Sequence, residues 1–161
     1  MTADAPLTRE SFRRLKPISV PRTMEQPPGR VWTDEEWDRI SRGYHARDMD
    51  EKWNVYADGD VLFLHRSWTG RGVYEATFTP LADGGRRITT AVVESDAPKY
   101  RNTSEEYDRL MLELVVSAIV LGEPAEELRA GLVELTTRMS GRSDLPAGVV
   151  QHSVVGLRTP E

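Results

Sequence analysis

The stretch of residues 52–95 constrains the fold most, because four strand-like runs follow one another there with only short turns between them. β-Branched and aromatic residues dominate these runs, as is typical of strands. The turns contain glycine and aspartate, which tolerate positive φ. Since connections this short pair neighbouring strands in sequence order, the segment predicts an antiparallel meander with strands at 53–57, 61–68, 72–79 and 87–94.

A helix is predicted immediately before the meander. Thr33 and Glu36 have the spacing of a capping box, in which the threonine hydroxyl and the glutamate carboxylate each accept from a backbone amide of the first turn. Trp37 and Ile40 then fall on one helix face. We expect this helix to end at residues 43–46.

Two helices are predicted after the meander. Thr103 and Glu106 repeat the capping-box spacing, and apolar residues recur at helical intervals as far as Gly122, where the helix ends. Pro124 stands where a first-turn proline begins another helix, and Gly141 stands where that helix would stop. The short connection predicts a helix hairpin, and its apolar stripe needs a surface such as the sheet to pack on.

The predicted fold class is therefore α+β, with a four- or five-stranded antiparallel meander and a C-terminal helix hairpin packed on one of its faces. Residues 149–155 would supply the fifth strand. Residues 1–31 contain several prolines that favour extended backbone, and we interpret them as a partly disordered N-terminal arm. Residues 32–161 are interpreted as a single domain.

Composition excludes several classes of function. The chain has 161 residues and no cysteine, so it contains neither a disulfide nor a thiolate nucleophile or metal ligand. Its net charge of −5 argues against binding to duplex DNA, which requires a basic face. The glycine-rich nucleotide motifs GxGxxG and GxxxxGKS/T do not occur, and no cofactor is predicted.

No segment is expected to enter a membrane. Residues 1–10 lack the apolar core of a signal peptide. The longest apolar stretch, residues 110–122, contains Glu113 and is shorter than the roughly 20 residues that span a bilayer. The cytoplasm is therefore the expected location.

The end of the second predicted strand has the most unusual composition, because an apolar run finishes with four polar or aromatic residues, His65, Arg66, Ser67 and Trp68. A two-residue turn at 70–71 would set Arg66 opposite Glu75, with Trp68 beside them. A three-residue loop would shift this register and change which residues share a face.

The candidate ligand-binding residues gather around this hairpin and are Arg66, Ser67, Trp68, Tyr74 and Arg101. For Arg66, a structural ion pair with Glu75 is the alternative, and for Trp68 the alternative is packing on the sheet. Arg101 lies near the amide end of the long helix, where a phosphate or carboxylate could bind.

A second set of residues offers acid/base chemistry, with His65 as the acid/base and Glu75 or Glu94 as its carboxylate partner. The alternative for His65 is a structural histidine. No metal site is predicted, because the histidines lack metal-ligand spacing. The acidic cluster at residues 48–51 lacks the glycine and spaced ligands of a calcium loop, and we interpret it as a solvated linker.

The runs MDEKWNVY at 49–56 and LFLHRSWTG at 62–70, followed by Tyr74 and Glu75, resemble an uncharacterised family of small bacterial proteins with a DEKW and HRSWTG motif. The similarity extends to residues 100–122. The resemblance implies no activity. Related segments are associated with ADP-ribosylglycohydrolase-like proteins, and this association implies a connection to ADP-ribose or nucleotides.

We expect a non-enzymatic binding or accessory module that uses the second hairpin to hold an anionic small molecule of nucleotide or ADP-ribose type, or an acidic segment of a partner protein. One alternative is a hydrolase of nucleotide or ADP-ribose-type linkages with His65 as acid/base. Another is a structural protein that forms homo-oligomers through an exposed sheet face or edge.

Overall fold

The computed structural model describes residues 5–48, 50–96 and 104–140. Its strands are β1 (Pro21–Thr23), β2 (Val31–Trp32), β3 (Trp53–Asp58), β4 (Val61–Arg66), β5 (Gly72–Pro80) and β6 (Arg86–Glu94), and its helices are α1 (Asp34–Ser41), α2 (Glu105–Leu114) and α3 (Glu126–Ser140). The strands form one sheet in the order β1-β6-β5-β4-β3, and β2 also pairs with β6. The α+β fold class is confirmed.

The predicted meander corresponds to β3 through β6, each pairing antiparallel with the next. The register expected for a two-residue turn, with Arg66 opposite Glu75, does not form. Phe63 lies opposite Glu75, and a bulge follows between Leu64 and His65. On the other side of β4, Arg66 lies opposite Trp53 of β3.

The strands β1 and β2 lie in the segment that the sequence sets apart as an arm. They are three and two residues long, too short for strand periodicity to reveal them. Arg22 lies opposite Val93 and Trp32 opposite Arg86, so both strands extend the sheet on the outer side of β6.

Buried carboxylates fasten this segment to the rest of the molecule. Glu94 accepts hydrogen bonds from the backbone amides of Ser19 and Val20, each at 2.9 Å. Asp108 of α2 accepts from the Arg22 guanidinium at 3.1 Å. Charge-assisted bonds of this kind are among the stronger hydrogen bonds in proteins, so the segment is firmly attached.

The first helix begins as predicted. The Thr33 hydroxyl accepts from the amide of Glu36 at 3.0 Å, and the Glu36 carboxylate accepts from the amide of Thr33 at 2.8 Å. For α2 the cap is Ser104, whose hydroxyl accepts from the amide of Tyr107 at 3.1 Å. Thr103, the expected cap, lies outside the described residues.

The helix hairpin is also confirmed. α2 continues as a π-helix over Val115–Val120, the chain turns at Gly122 with φ of +75°, and α3 packs against α2. Gly141 and the strand predicted at 149–155 lie outside the described residues. No helix in the described ranges has the length and apolarity needed to cross a membrane.

One hydrophobic core joins the sheet to the helices. Trp53, Leu64 and Tyr74 of the sheet are buried there together with Leu112 and Ile119. Full burial of a large apolar side chain contributes about 1.5–3 kcal/mol. The core thereby fixes β4 and β5, and with them the turn that joins these two strands.

Candidate functional site

The turn between β4 and β5, residues 67–71, is braced by hydrogen bonds. The amide of Gly70 donates to the carbonyl of Arg66, and the amide of Arg66 donates to the carbonyl of Arg71, both at 2.9 Å. Nδ1 of His65 lies 2.8 Å from the Gly70 carbonyl oxygen and therefore carries the proton of that bond. The turn is thus a fixed structure.

Ser67 ties the turn to the chain before β3. Its hydroxyl donates to the carbonyl of Glu51 at 2.7 Å, and its amide donates to the carbonyl of Lys52 at 2.9 Å. The Glu51 side chain is fully buried and accepts from the Arg47 guanidinium at 3.1 Å. The interpretation of the acidic cluster as a solvated linker is therefore wrong for Glu51. Its side chain is buried, and its carbonyl oxygen binds the Ser67 hydroxyl of the turn.

Trp68 projects from the braced turn into solvent. It is 68% exposed, compared with 51% for Val31 and 48% for Val20, the other exposed large apolar residues of the described ranges. A hollow of about 360 Å³ opens beside it, and the hollow is lined also by His45, Ala46, Arg47, Asp48, Asn54 and Ser67. The indole thus lies at the rim of a concave polar surface.

The polar groups of the hollow are oriented by their own contacts. Oδ1 of Asn54 accepts from the amide of Ala46 at 2.7 Å, which assigns the side-chain amide and leaves Nδ2 as a donor. His45 stacks on Phe12 with ring centroids 4.8 Å apart, and its Nδ1 lies 2.8 Å from the Ala46 carbonyl. When His45 is neutral and Nδ1 donates, Nε2 is an acceptor. The hollow therefore offers a donor, an acceptor and an aromatic face.

Arg66 belongs to the other face of the sheet. It lies opposite Trp53, and its guanidinium carbon is 4.7 Å from the centroid of the Trp53 ring. Trp53 and Asn54 are neighbours in β3, so their side chains point to opposite faces of the sheet. Asn54 lines the hollow, whereas Arg66 shares the face of Trp53 and is therefore separated from the hollow. Burial raises the pKa of Tyr107 to about 12, and the nearby Arg66 opposes this rise.

Tyr74 is part of the core. It is fully buried, stacks on Trp53 with ring centroids 6.0 Å apart, and donates its hydroxyl to Asp108 at 3.0 Å. Asp108 also accepts from Arg22. The Tyr74 hydroxyl therefore connects the sheet to α2 and, through Asp108, to the N-terminal segment.

His65 is buried beneath the braced turn, with 2% of its surface exposed. Burial lowers the pKa of its imidazole. In the described part of the chain, no hydrogen bond or ion pair joins His65 to Glu75 or Glu94. Its role as an acid/base stays a prediction.

The two candidate carboxylates have opposite environments. Burial disfavours the ionised form of Glu94, but the amides of Ser19 and Val20 outweigh burial and lower its pKa. Glu75 lies opposite Phe63, and burial raises its pKa. Glu94 is thus held in the ionised state by the arm, whereas no described residue stabilises the ionised form of Glu75.

A basic run at residues 13–16, which the sequence did not single out, lies against the turn. The amide of Lys16 donates to the carbonyl of Gly70, and the amide of Gly72 donates to the carbonyl of Lys16, both at 2.8 Å. Arg14 adopts φ of +61°, and its carbonyl packs on Gly70. Charge patterning could have revealed the run, but its position beside the turn follows only from the fold.

Arg101 lies outside the described residues. Over the described ranges, no group of three or more His, Asp or Glu side chains is arranged to hold a metal ion.

Comparison of the chain with family models, with curated proteins and with solved structures found no match. Function must therefore be inferred from the geometry of the turn and the hollow.

Proposed function

We propose that the protein is a non-enzymatic binding module for an anionic small molecule of nucleotide or ADP-ribose type, held in the hollow beside Trp68. One observation carries the proposal: a turn braced on several sides presents an indole that is 68% exposed. Such exposure is unfavourable for the free protein, and a bound planar group would relieve it.

The hollow suits a nucleobase. Stacking of a base on an aromatic side chain contributes about 1–3 kcal/mol. Asn54 and His45 line the hollow, and their Nδ2 and Nε2 atoms would bond to the polar edge of such a ring. The volume of about 360 Å³ is at the lower end of the range for small-molecule sites, roughly 300–1,000 Å³.

Cations beside the turn would meet the phosphates of the same ligand. Arg14 and Lys16 contact Gly70 through their backbones, and Arg71 follows it in the chain. Guanidinium groups bind phosphate by paired, charge-assisted hydrogen bonds.

The alternatives have less support. His65 is buried and bonded to the Gly70 carbonyl, so no observation favours the hydrolase. Homo-oligomerisation and binding of an acidic protein segment stay predictions. The cytoplasmic location stays a prediction.

Isothermal titration with AMP, ADP-ribose and ribose 5-phosphate tests the proposal. We expect the first two to bind more tightly than ribose 5-phosphate, which has no base to stack. Trp68→Ala should weaken AMP binding by about 5- to 150-fold, whereas Val31→Ala, another exposed apolar position, should leave it unchanged. Absence of heat with all three ligands would falsify the proposal, and release of ligand fragments during incubation would favour the hydrolase.

A further inference from the structure

We infer that the hollow and the basic run at residues 13–16 form one continuous surface that binds single-stranded nucleic acid. The inference rests on the proposed nucleotide site and extends it from one nucleotide to a chain of several.

The backbone contacts place the two parts side by side. The Arg14 carbonyl packs on Gly70, and Lys16 bonds to both Gly70 and Gly72 at 2.8 Å. Gly70 is two residues from Trp68, which limits the distance between their Cα atoms to about 7 Å. A single-stranded nucleic acid with one base stacked on Trp68 would therefore have its neighbouring phosphates close to the basic run.

The cations at this surface are not neutralised within the described part of the chain. Side chains of Arg13, Arg14, Lys16 and Arg71 form no ion pair with any described residue, and the first three are exposed. Elsewhere arginines pair with carboxylates, as Arg22, Arg30, Arg42, Arg47 and Arg86 do. A chain with 26 acidic and 21 basic residues thus has, in its described part, a local cluster of unpaired positive charge beside the exposed ring of Trp68.

The combination of ring and charge favours a single strand over other polyanions. Bases in a duplex are stacked on each other, so Trp68 could not reach their faces, whereas single strands expose them. The net charge of −5 also opposes a duplex, with its dense phosphates on both strands. An acidic peptide would use the cations but would leave the indole without a planar partner.

Fluorescence anisotropy with a labelled eight-nucleotide oligouridylate tests the inference. We expect tighter binding than for AMP, competition by AMP, and a slope of log K against log salt of about −2 to −3, since three or four phosphate contacts each contribute about −0.7. Trp68→Ala should weaken both the oligonucleotide and AMP.

Two charge reversals provide the matched comparison. Arg14→Glu should weaken oligonucleotide binding about tenfold and make the salt slope shallower by about 0.7, and it should weaken binding of AMP, which carries a single phosphate, by a smaller factor. Arg87→Glu changes the charge equally, but Arg87 is exposed and lies opposite Thr79, seven residues along β5 from Gly72 and hence roughly 20 Å away. It should change neither affinity. Lys16→Glu repeats the test at a second position, and circular dichroism checks that each variant is folded.

The outcomes separate the two proposals. If AMP binds but the oligonucleotide binds no tighter, or if Arg14→Glu and Lys16→Glu behave like Arg87→Glu, the extended surface is refuted and the nucleotide site stands. If neither ligand binds, both proposals fail. Stronger binding of a duplex, or equal competition by polyglutamate that is insensitive to Trp68→Ala, would also overturn the inference.

Discussion

The carbonyl oxygen of Arg14 occupies the space that a Cβ atom on Gly70 would need. Gly70 also has φ of +74°, a conformation that residues with side chains rarely adopt. Two independent constraints therefore require glycine at this point, where the basic run meets the braced turn.

Gly70→Ala should cost markedly more stability than Gly59→Ala. Gly59 has a similar φ of +62°, but no atom lies within 4 Å of the position that an alanine methyl group would take there. The Gly59→Ala variant therefore measures the cost of backbone strain alone, about 1 kcal/mol. The clash with Arg14 should add about 1–3 kcal/mol at Gly70. Urea denaturation of both variants measures the difference, and equal losses would contradict the tight packing.

Trp68→Ala should leave the free energy of unfolding within about 0.5 kcal/mol of the unmodified protein, because the side chain is mostly in water. Trp53→Ala, by contrast, removes a fully buried ring and should cost about 3–5 kcal/mol. Thermal unfolding of the pair distinguishes a surface indole from a core indole. A large loss in Trp68→Ala would show that this residue supports the fold.

Tyr74→Phe should destabilise the protein by about 1–3 kcal/mol, because it takes a hydrogen-bond donor from the buried carboxylate of Asp108. Tyr107→Phe is the control, since its hydroxyl has no hydrogen bond to a described residue, and it should change stability by less than about 0.5 kcal/mol. Chemical denaturation at neutral pH compares them. Equal effects would mean that the bond to Asp108 contributes little.

The carboxylate of Glu94 should stabilise the protein in a pH-dependent manner. Its pKa is lowered in the folded state because the arm amides outweigh burial, so its contribution is present above the ordinary glutamate pKa and is lost as the pH falls through the lower, folded value. Glu94→Gln should therefore be less stable than the unmodified protein at pH 7, and the gap should close in acid. A gap that is constant from pH 7 to pH 3 would exclude an ionic contribution.

Glu75 should show the opposite behaviour. Burial raises its pKa in the folded state, so the ionised carboxylate destabilises the protein at neutral pH. Glu75→Gln should unfold at a higher temperature than the unmodified protein at pH 7, and this advantage should decrease as the pH falls towards the ordinary glutamate pKa. A loss of stability at pH 7 would show that Glu75 has a favourable partner.

The meander and the first helix could be predicted because their signals are local. Short turns determine which strands pair, and the capping box of Thr33 depends on residues three positions apart. The register of the second hairpin could not be predicted, since a bulge at His65 and the turn beginning at residue 67 set it.

For the candidate site, the sequence indicated Ser67 and Trp68 but not the residues that complete the hollow. His45 and Asn54 reach it through the pairing of β3 with β4 and through the stacking of His45 on Phe12. These contacts join residues that are distant in sequence, and no local pattern encodes them. The same limitation applies to the basic run, whose place beside Gly70 is set by long-range backbone bonds.

The pairing of β1 and β2 with β6 has a consequence for biosynthesis. These two strands leave the ribosome before the strand that receives them, which ends at Glu94. Until β6 has been translated, the backbone groups of β1 and β2 can form hydrogen bonds only with water or with non-native partners. The nascent chain then carries an unpaired, proline-containing segment. The two strands that are synthesised first therefore cannot join the sheet until β6 has also been synthesised.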